Sequence, residues 1–216
     1  MEIPNYDVED DEDVNFTQLY PYMPDRLFRM LICAPTGGGK TNLLIHMLKK
    51  PLLFYDKIYL YSKNLQQNKF RHLLKEFEPY SKKFGYKIIE ESNGDIIPLD
   101  EMDDDNGFQK IIIFDDYLNA GAKNDREIKN YFTNSRNKNC SCIYLCQSFY
   151  ETNKTIRLNC SHYCIFELES ENEERMLCKE LKVKKDHYLS ATKEPYTFLY
   201  IDKPRKFIAK NFTKII

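Results

Sequence analysis

Ala34-Pro35-Thr36-Gly37-Gly38-Gly39-Lys40-Thr41 places three of the chain's seven glycines in a row, directly before a lysine and a hydroxyl. Glycine lets the backbone take positive φ and lets its N–H groups approach an anion closely. The flanks give this loop a setting. Phe28-Arg29-Met30-Leu31-Ile32-Cys33 reads as a strand entering it, and Thr41 to Leu48 reads as a helix leaving it, with Leu44, Met47 and Leu48 on one face. A strand, a glycine-rich loop, Lys-Thr and a helix, in that order, make a phosphate-binding P-loop, here with Ala34 where the usual pattern starts with Gly. Lys40 is expected to reach the β- and γ-phosphates and Thr41 to hold Mg²⁺, with Ala34 through Asn42 cradling the nucleotide at a helix N-terminus. The expected set is therefore Ala34, Pro35, Thr36, Gly37, Gly38, Gly39, Lys40, Thr41 and Asn42.

At 216 residues the chain suits one α/β domain with a substantial core. No apolar run is long enough to span a membrane. The acidic N-terminus fits neither a signal nor a transit peptide, so a reducing compartment, cytosol or nucleus, is expected. Seven cysteines, several inside apparent strands, then read as buried free thiols. Cys160, His162 and Cys164 would share one face of a strand, but no paired C-x-x-C accompanies them, so zinc is the lesser reading.

The net charge of −1 hides an asymmetry. Residues 1–25 hold eight of the 33 acidic residues and no Lys or Arg, which leaves the rest of the chain about seven charges positive. An acidic arm on a basic body fits a nucleic-acid-handling protein, and it equally fits a solvated surface with a polar tail. The body is expected to start near Arg26 and run to residue 216.

Along that body the pattern alternates. Strands are expected at Lys57–Tyr61, Lys87–Glu90, Lys110–Asp116, Cys142–Gln147, Tyr163–Glu167 and Tyr196–Ile201. Helices are expected from about Leu65 to Phe77, from an Asp125 cap to about Arg136, and over Glu171–Leu181. Residues 95–107 read as a polar, acidic loop. Continuous apolar runs such as Ile111-Ile112-Ile113-Phe114 mark strands buried on both faces of a parallel sheet. The expected fold is a doubly wound α/β P-loop NTPase, a three-layer sandwich around a mostly parallel sheet.

Two carboxylates close the Lys110 strand. Asp115 is the expected Mg²⁺ residue and Asp116 the expected general base for the attacking water, against the plainer reading of Asp116 as a turn cap. Gln147 is polar and ends an apolar strand, where it could orient water or sense the γ-phosphate, or merely terminate the strand. Arg136 and Arg157 are both candidates for an arginine offered across a subunit boundary, and either could equally be a surface arginine.

The order A-P-T-G-G-G-K-T, I-I-I-F-D-D, N-S-R-N, I-Y-L-C-Q-S and I-R-L-N resembles the DNA-packaging ATPases of large double-stranded DNA viruses, virophages and Polinton-like elements, within the FtsK–HerA superfamily. The resemblance covers roughly Arg26 to Phe166. It implies a three-layer sandwich of the ASCE type, ATP and Mg²⁺ as ligands, and ATP-driven movement of genomic double-stranded DNA into a preformed capsid. It implies a homo-oligomeric ring, pentamer or hexamer, that docks on capsid vertex proteins at assembly sites in the host cytoplasm or nucleus, or travels in the virion. By the same resemblance Lys40 and Thr41 match the P-loop pair, Asp115 and Asp116 the acidic pair, and Gln147 the polar sensor. Arg136 matches the region that supplies a trans arginine, with N-S-R-N here in place of the G-R-H that relatives often carry, and Arg157 is the second candidate.

Two other classes compete. A P-loop small-molecule kinase would carry an arginine-rich lid, and the arginines here are sparse and scattered. A nucleotide-dependent capsid assembly factor would bind ATP without stimulation by DNA.

Overall fold

The computed structural model describes residues 22–24, 27–48, 53, 55–62, 75, 87–91, 96–102, 109–117 and 121–216. All of the expected helix from Leu65 to Phe77 except Lys75, and most of the acidic arm, lie outside them. Among the described residues nine strands form one sheet: β1 Arg29–Cys33, β2 Lys57–Ser62, β3 Lys87–Glu91, β4 Lys110–Asp115, β5 Cys140–Cys146, β6 His162–Phe166, β7 Phe198–Asp202, β8 Phe207–Lys210 and β9 Lys214–Ile215. Five helices accompany them: α1 Lys40–Leu48, α2 Ala122–Asn134, α3 Lys154–Asn159, α4 Glu171–Leu181 and α5 Lys185–Thr192.

The sheet runs β3-β2-β4-β5-β1-β6-β7-β8-β9. The first six strands in that order pair in parallel, and β7 to β9 add an antiparallel edge. This is the mostly parallel α/β sandwich expected from the alternating pattern. Its central strands are buried along their length, as in β5 and β6, because helices and connections cover both faces.

Side-chain alternation divides the core in two. Met30 and Ile32 of β1, Ile143 and Leu145 of β5 and Cys164 of β6 pack with Leu44 and Met47 of α1. Leu31 and Cys33, Tyr144 and Cys146, and Tyr163 pack on the other face with Ile128 and Phe132 of α2, Ile156 of α3, Leu177 of α4 and Tyr188 of α5. A fully buried Leu, Ile or Phe contributes about 1.5–3 kcal/mol. No helix among the described residues is long and apolar enough to cross a membrane.

Several local expectations shift. The second large helix starts at Gly121 rather than on an Asp125 cap, and it ends at Asn134, where a tight 3₁₀ turn takes over Ser135–Lys138. Residues 99–101 of the expected acidic loop form another such turn. Tyr196 precedes β7 rather than opening it, because its backbone takes a left-handed φ of 60°.

The topology decides where chemistry can occur. Strand β5 lies between β1 and β4, so the loops leaving β1, β4 and β5 emerge side by side at one end of the sheet. Open α/β sheets bind ligands in such a crevice beyond the carboxyl ends of their strands.

Candidate active site

The P-loop is built by three backbone hydrogen bonds. Ala34 N–H donates to the Cys146 carbonyl at 3.2 Å, which ties the loop's start to the end of β5. Gly38 N–H donates to the Pro35 carbonyl at 3.0 Å and closes a tight turn. Leu43 N–H donates to the Gly39 carbonyl at 2.9 Å and starts α1. Gly37 and Gly39 take φ of 80° and 101°, where a side chain is strained. Gly38 is constrained by space instead: a Cβ there would lie 2.9 Å from the Ala34 Cβ.

Lys40 opens α1, and its ammonium folds back on the loop, donating to the carbonyls of Ala34 and of Pro35, the latter at 3.1 Å. Burial lowers its pKa below the ordinary 10.5, while Cys146, Cys33, Asp115 and Asp116 act in the opposite sense. Thr41 is half-buried in the first turn of α1, and Asn42 is exposed.

Asp115 ends β4 in register with Ser62 of β2, whose hydroxyl donates to Asp115 Oδ2 at 3.2 Å. Ser62 was not among the expected residues. Its signal was a hydroxyl ending an apolar strand, readable only once the register was known. Asp116 leaves the strand with a left-handed φ of 51°, and its N–H donates to the Leu145 carbonyl at 3.1 Å. That turn brings its carboxylate to Gln147, whose Nε2 donates to Asp116 Oδ2 at 2.7 Å. Thr36 Oγ1 in turn donates to Gln147 Oε1 at 2.9 Å. The P-loop, the end of β5 and the end of β4 are thus joined through one glutamine.

The loop after Gln147 is clamped. Ser148 Oγ and Tyr150 N–H both donate to Glu173 Oε1 of α4, at 2.7 and 3.2 Å. Arg157 Nη1 donates to the carbonyls of Phe149, Tyr150 and Thr152 at 3.2, 2.8 and 3.0 Å. Its Nε and Nη2 make a bidentate pair with Glu180 of α4 at 2.9 and 3.0 Å. This corrects one expectation. Arg157 is 6% exposed with its guanidinium engaged on both sides, so it anchors the Gln147 loop instead of reaching a neighbouring subunit. Glu173 and Glu180 escaped the sequence reading because charged residues on a surface helix carry no local sign of a long-range partner.

Arg136 lies elsewhere. It is exposed in the 3₁₀ turn after α2, close enough to Arg29 for the two charges to repel, and Arg29 opens β1. The phosphate loop follows the other end of β1, so Arg136 does not join the site of its own subunit.

For a divalent cation, Thr41 and Asp115 offer hard oxygen donors, which suit Mg²⁺. Asp115 and Asp116 both lie within electrostatic reach of Lys40, so the acidic strand end faces the P-loop and the residues fit the ion. Among the described residues no group of three or more His, Cys, Asp or Glu side chains is placed to hold a metal. The lesser zinc reading fails on geometry: Cys160 packs on one face of the sheet and Cys164 on the other, while His162 faces Ser161 Oγ at 2.8 Å and Asp202 at 3.5 Å.

No curated protein matches the chain in sequence. Solved structures do match in fold. The DNA-packaging ATPase B204 from Sulfolobus Turreted Icosahedral Virus superposes with a TM-score of 0.60 at 14% identity, over 85% of this chain and 96% of that one. The genome packaging NTPase B204 from Sulfolobus turreted icosahedral virus 2, solved with ATP-γS, gives 0.59 at 14% identity, over 85% and 96%. EccC of Thermomonospora curvata (ATPases 2 and 3) gives 0.54 at 11% identity, over 87% of this chain and 37% of that one. At these identities the likeness is one of fold. The family model described as Poxvirus A32 protein matches residues 19–193. Those residues hold the P-loop, the Asp115-Asp116 pair and Gln147, and the chain belongs to the Poxvirus A32 protein family.

Proposed function

We propose that this chain is the ATPase of a genome-packaging motor, which hydrolyses ATP to drive double-stranded viral DNA into a preformed capsid. The observation that carries the reading is the hydrogen-bonded line Thr36–Gln147–Asp116, which ties the phosphate loop to the acidic strand end. The family supports the same reading, and so does the fold shared with packaging NTPases, one of them solved with ATP-γS. Neither gives support to the kinase or the assembly-factor alternative.

In this reading Lys40 exchanges its two carbonyl partners for the β- and γ-phosphates, and the N–H groups at the start of α1 donate to the phosphate oxygens. Thr41 and Asp115 would hold Mg²⁺, which would neutralise charge on the phosphates. Asp116 takes the proton of the attacking water. Gln147 reports whether the terminal phosphate is present, since a phosphate oxygen competes for its amide and changes its hold on Asp116. The Glu173 and Arg157 clamps carry that change to α4. Arg136, exposed and remote from its own subunit's site, serves the site of the neighbour in a homo-oligomeric ring of five or six.

DNA is gripped through its backbone, so binding is sequence-independent and weakens with salt. Residues 26–216 form the ATPase domain and residues 1–25 an acidic arm. The ring docks on capsid vertex proteins at assembly sites in the host cytoplasm or nucleus, or stays with the virion. Translocation is tested by displacement of a third strand from a DNA triplex placed far from the loading end. ATP-dependent displacement that grows slower with distance is expected, and hydrolysis without displacement would contradict the motor.

A further inference from the structure

A cavity of about 410 Å³ opens beside the P-loop, on the side away from Gln147 and Asp116. It shares Pro35 and Gly38 with the loop, and Phe166, Leu168, Pro195 and Tyr196 supply its apolar surface. Its volume falls within the ~300–1,000 Å³ common for small-ligand sites.

Its position relative to the catalytic groups is informative. Asp115, Asp116 and Gln147 follow β4 and β5, on one side of β1. Phe166 ends β6 and Tyr196 precedes β7, on the other side. A triphosphate lying along the P-loop with its terminal phosphate toward Gln147 therefore directs its nucleoside at this cavity. We propose that the cavity is the nucleoside subsite and that Tyr196 stacks on the base, with Phe166 and Pro195 as the apolar wall. The proposal deepens the ATPase reading and rests on it.

Two features of Tyr196 fit that role. It is the most exposed large apolar side chain among the described residues, at 65%, and its backbone holds a left-handed φ of 60°. Such a φ on a bulky residue is strained and persists where the surroundings impose it. Here Thr197 imposes it, its N–H and hydroxyl both donating to the Glu194 carbonyl at 3.2 and 2.7 Å. The ring is thereby laid against the phosphate loop: a Cβ on Gly39 would lie 3.3 Å from Tyr196 Cδ1 and 3.5 Å from Phe166 Cε1.

The test measures Kd by calorimetry with Mg²⁺ for ATP and inorganic tripolyphosphate on the full chain. The unaltered chain should bind ATP at least about tenfold more tightly than tripolyphosphate. Tyr196→Ala should weaken ATP about tenfold or more and leave tripolyphosphate unchanged, and Tyr196→Phe should restore ATP, since stacking needs only the ring. Equal ATP affinity in Tyr196→Ala would overturn the subsite. So would an equal loss for tripolyphosphate, which would place Tyr196 on the loop and not on the base. If the unaltered chain bound neither ATP nor tripolyphosphate, the nucleotide reading itself would fall and the subsite with it.

Discussion

Gln147 holds Asp116: its side-chain amide donates to Asp116 Oδ2 at 2.7 Å while its oxygen accepts from Thr36 at 2.9 Å. A carboxylate that is to take a proton from water is thus occupied by a glutamine that also touches the phosphate loop. Hydrogen bonds to an ionised acceptor are roughly twice as strong as neutral ones. Freeing or aiming Asp116 therefore requires Gln147 to respond to the nucleotide. Asp116→Asn should bind ATP within about twofold of the unaltered chain and hydrolyse it roughly 10²–10⁴ times more slowly, the range for loss of a general base. Gln147→Ala should slow hydrolysis less and weaken its response to DNA. Single-turnover hydrolysis with a parallel binding isotherm separates the two, and normal turnover in Asp116→Asn removes Asp116 as the base.

Lys40 should make nucleotide binding sensitive to alkali. Burial lowers its pKa below 10.5 in the free chain. The ammonium is the form that binds phosphate, so affinity is full below the lowered pKa and falls as pH rises through it. The decline should therefore begin below the range of an ordinary lysine. A Kd series for tripolyphosphate from neutral to alkaline pH shows it, and Lys40→Met should lose the affinity and its alkaline limb together.

The two arginines should behave oppositely. Arg157 is buried, paired with Glu180 and bound to three carbonyls, so Arg157→Ala leaves those groups without a partner and should cost about 3–5 kcal/mol of folding stability by chemical denaturation. Arg136 is exposed, and Arg136→Ala should change stability by less than about 0.5 kcal/mol. Its hydrolysis should fail in a uniform ring and recover when mixed with a Lys40→Ala chain that supplies the arginine. No recovery in mixed rings contradicts a trans role.

All seven cysteines are free and buried; burial raises the thiols of Cys160 and Cys164 well above 9.0 and that of Cys142 to about 12, and the hydrogen bond with Cys146, with burial second, raises that of Cys33 well above 9.0. The folded chain should therefore resist a thiol reagent at neutral pH, with all seven thiols reacting on denaturation. Fast labelling of Cys33 or Cys146 in the folded chain would mean that the ends of β1 and β5 open.

What could be read from the sequence was local. The P-loop, the Ile111–Phe114 run ending in Asp115 and Asp116, and α4 at Glu171–Leu181 each carry their signal within about ten residues, and each stands where it was expected. Gln147 was also legible, because a lone polar residue closing an apolar strand stands out. The failures were long-range. Arg157 looked like a free arginine because Glu180 lies 23 residues away on another helix. Tyr196 looked like the start of a strand because an aromatic followed by Thr197 and Phe198 has that pattern, and only Thr197's bonds to Glu194 turn it out. Strands β8 and β9 are short and pair at a partly exposed edge, so their pattern was too weak to separate from the basic C-terminal run.

The most direct measurement is steady-state ATP hydrolysis by the purified chain, with and without long double-stranded DNA, at low and moderate salt. A DNA-packaging motor predicts hydrolysis that DNA stimulates strongly, that fades as salt rises, and that Asp116→Asn slows at least about a hundredfold. Hydrolysis that is indifferent to DNA at every salt concentration, in a chain shown to form rings, would contradict it.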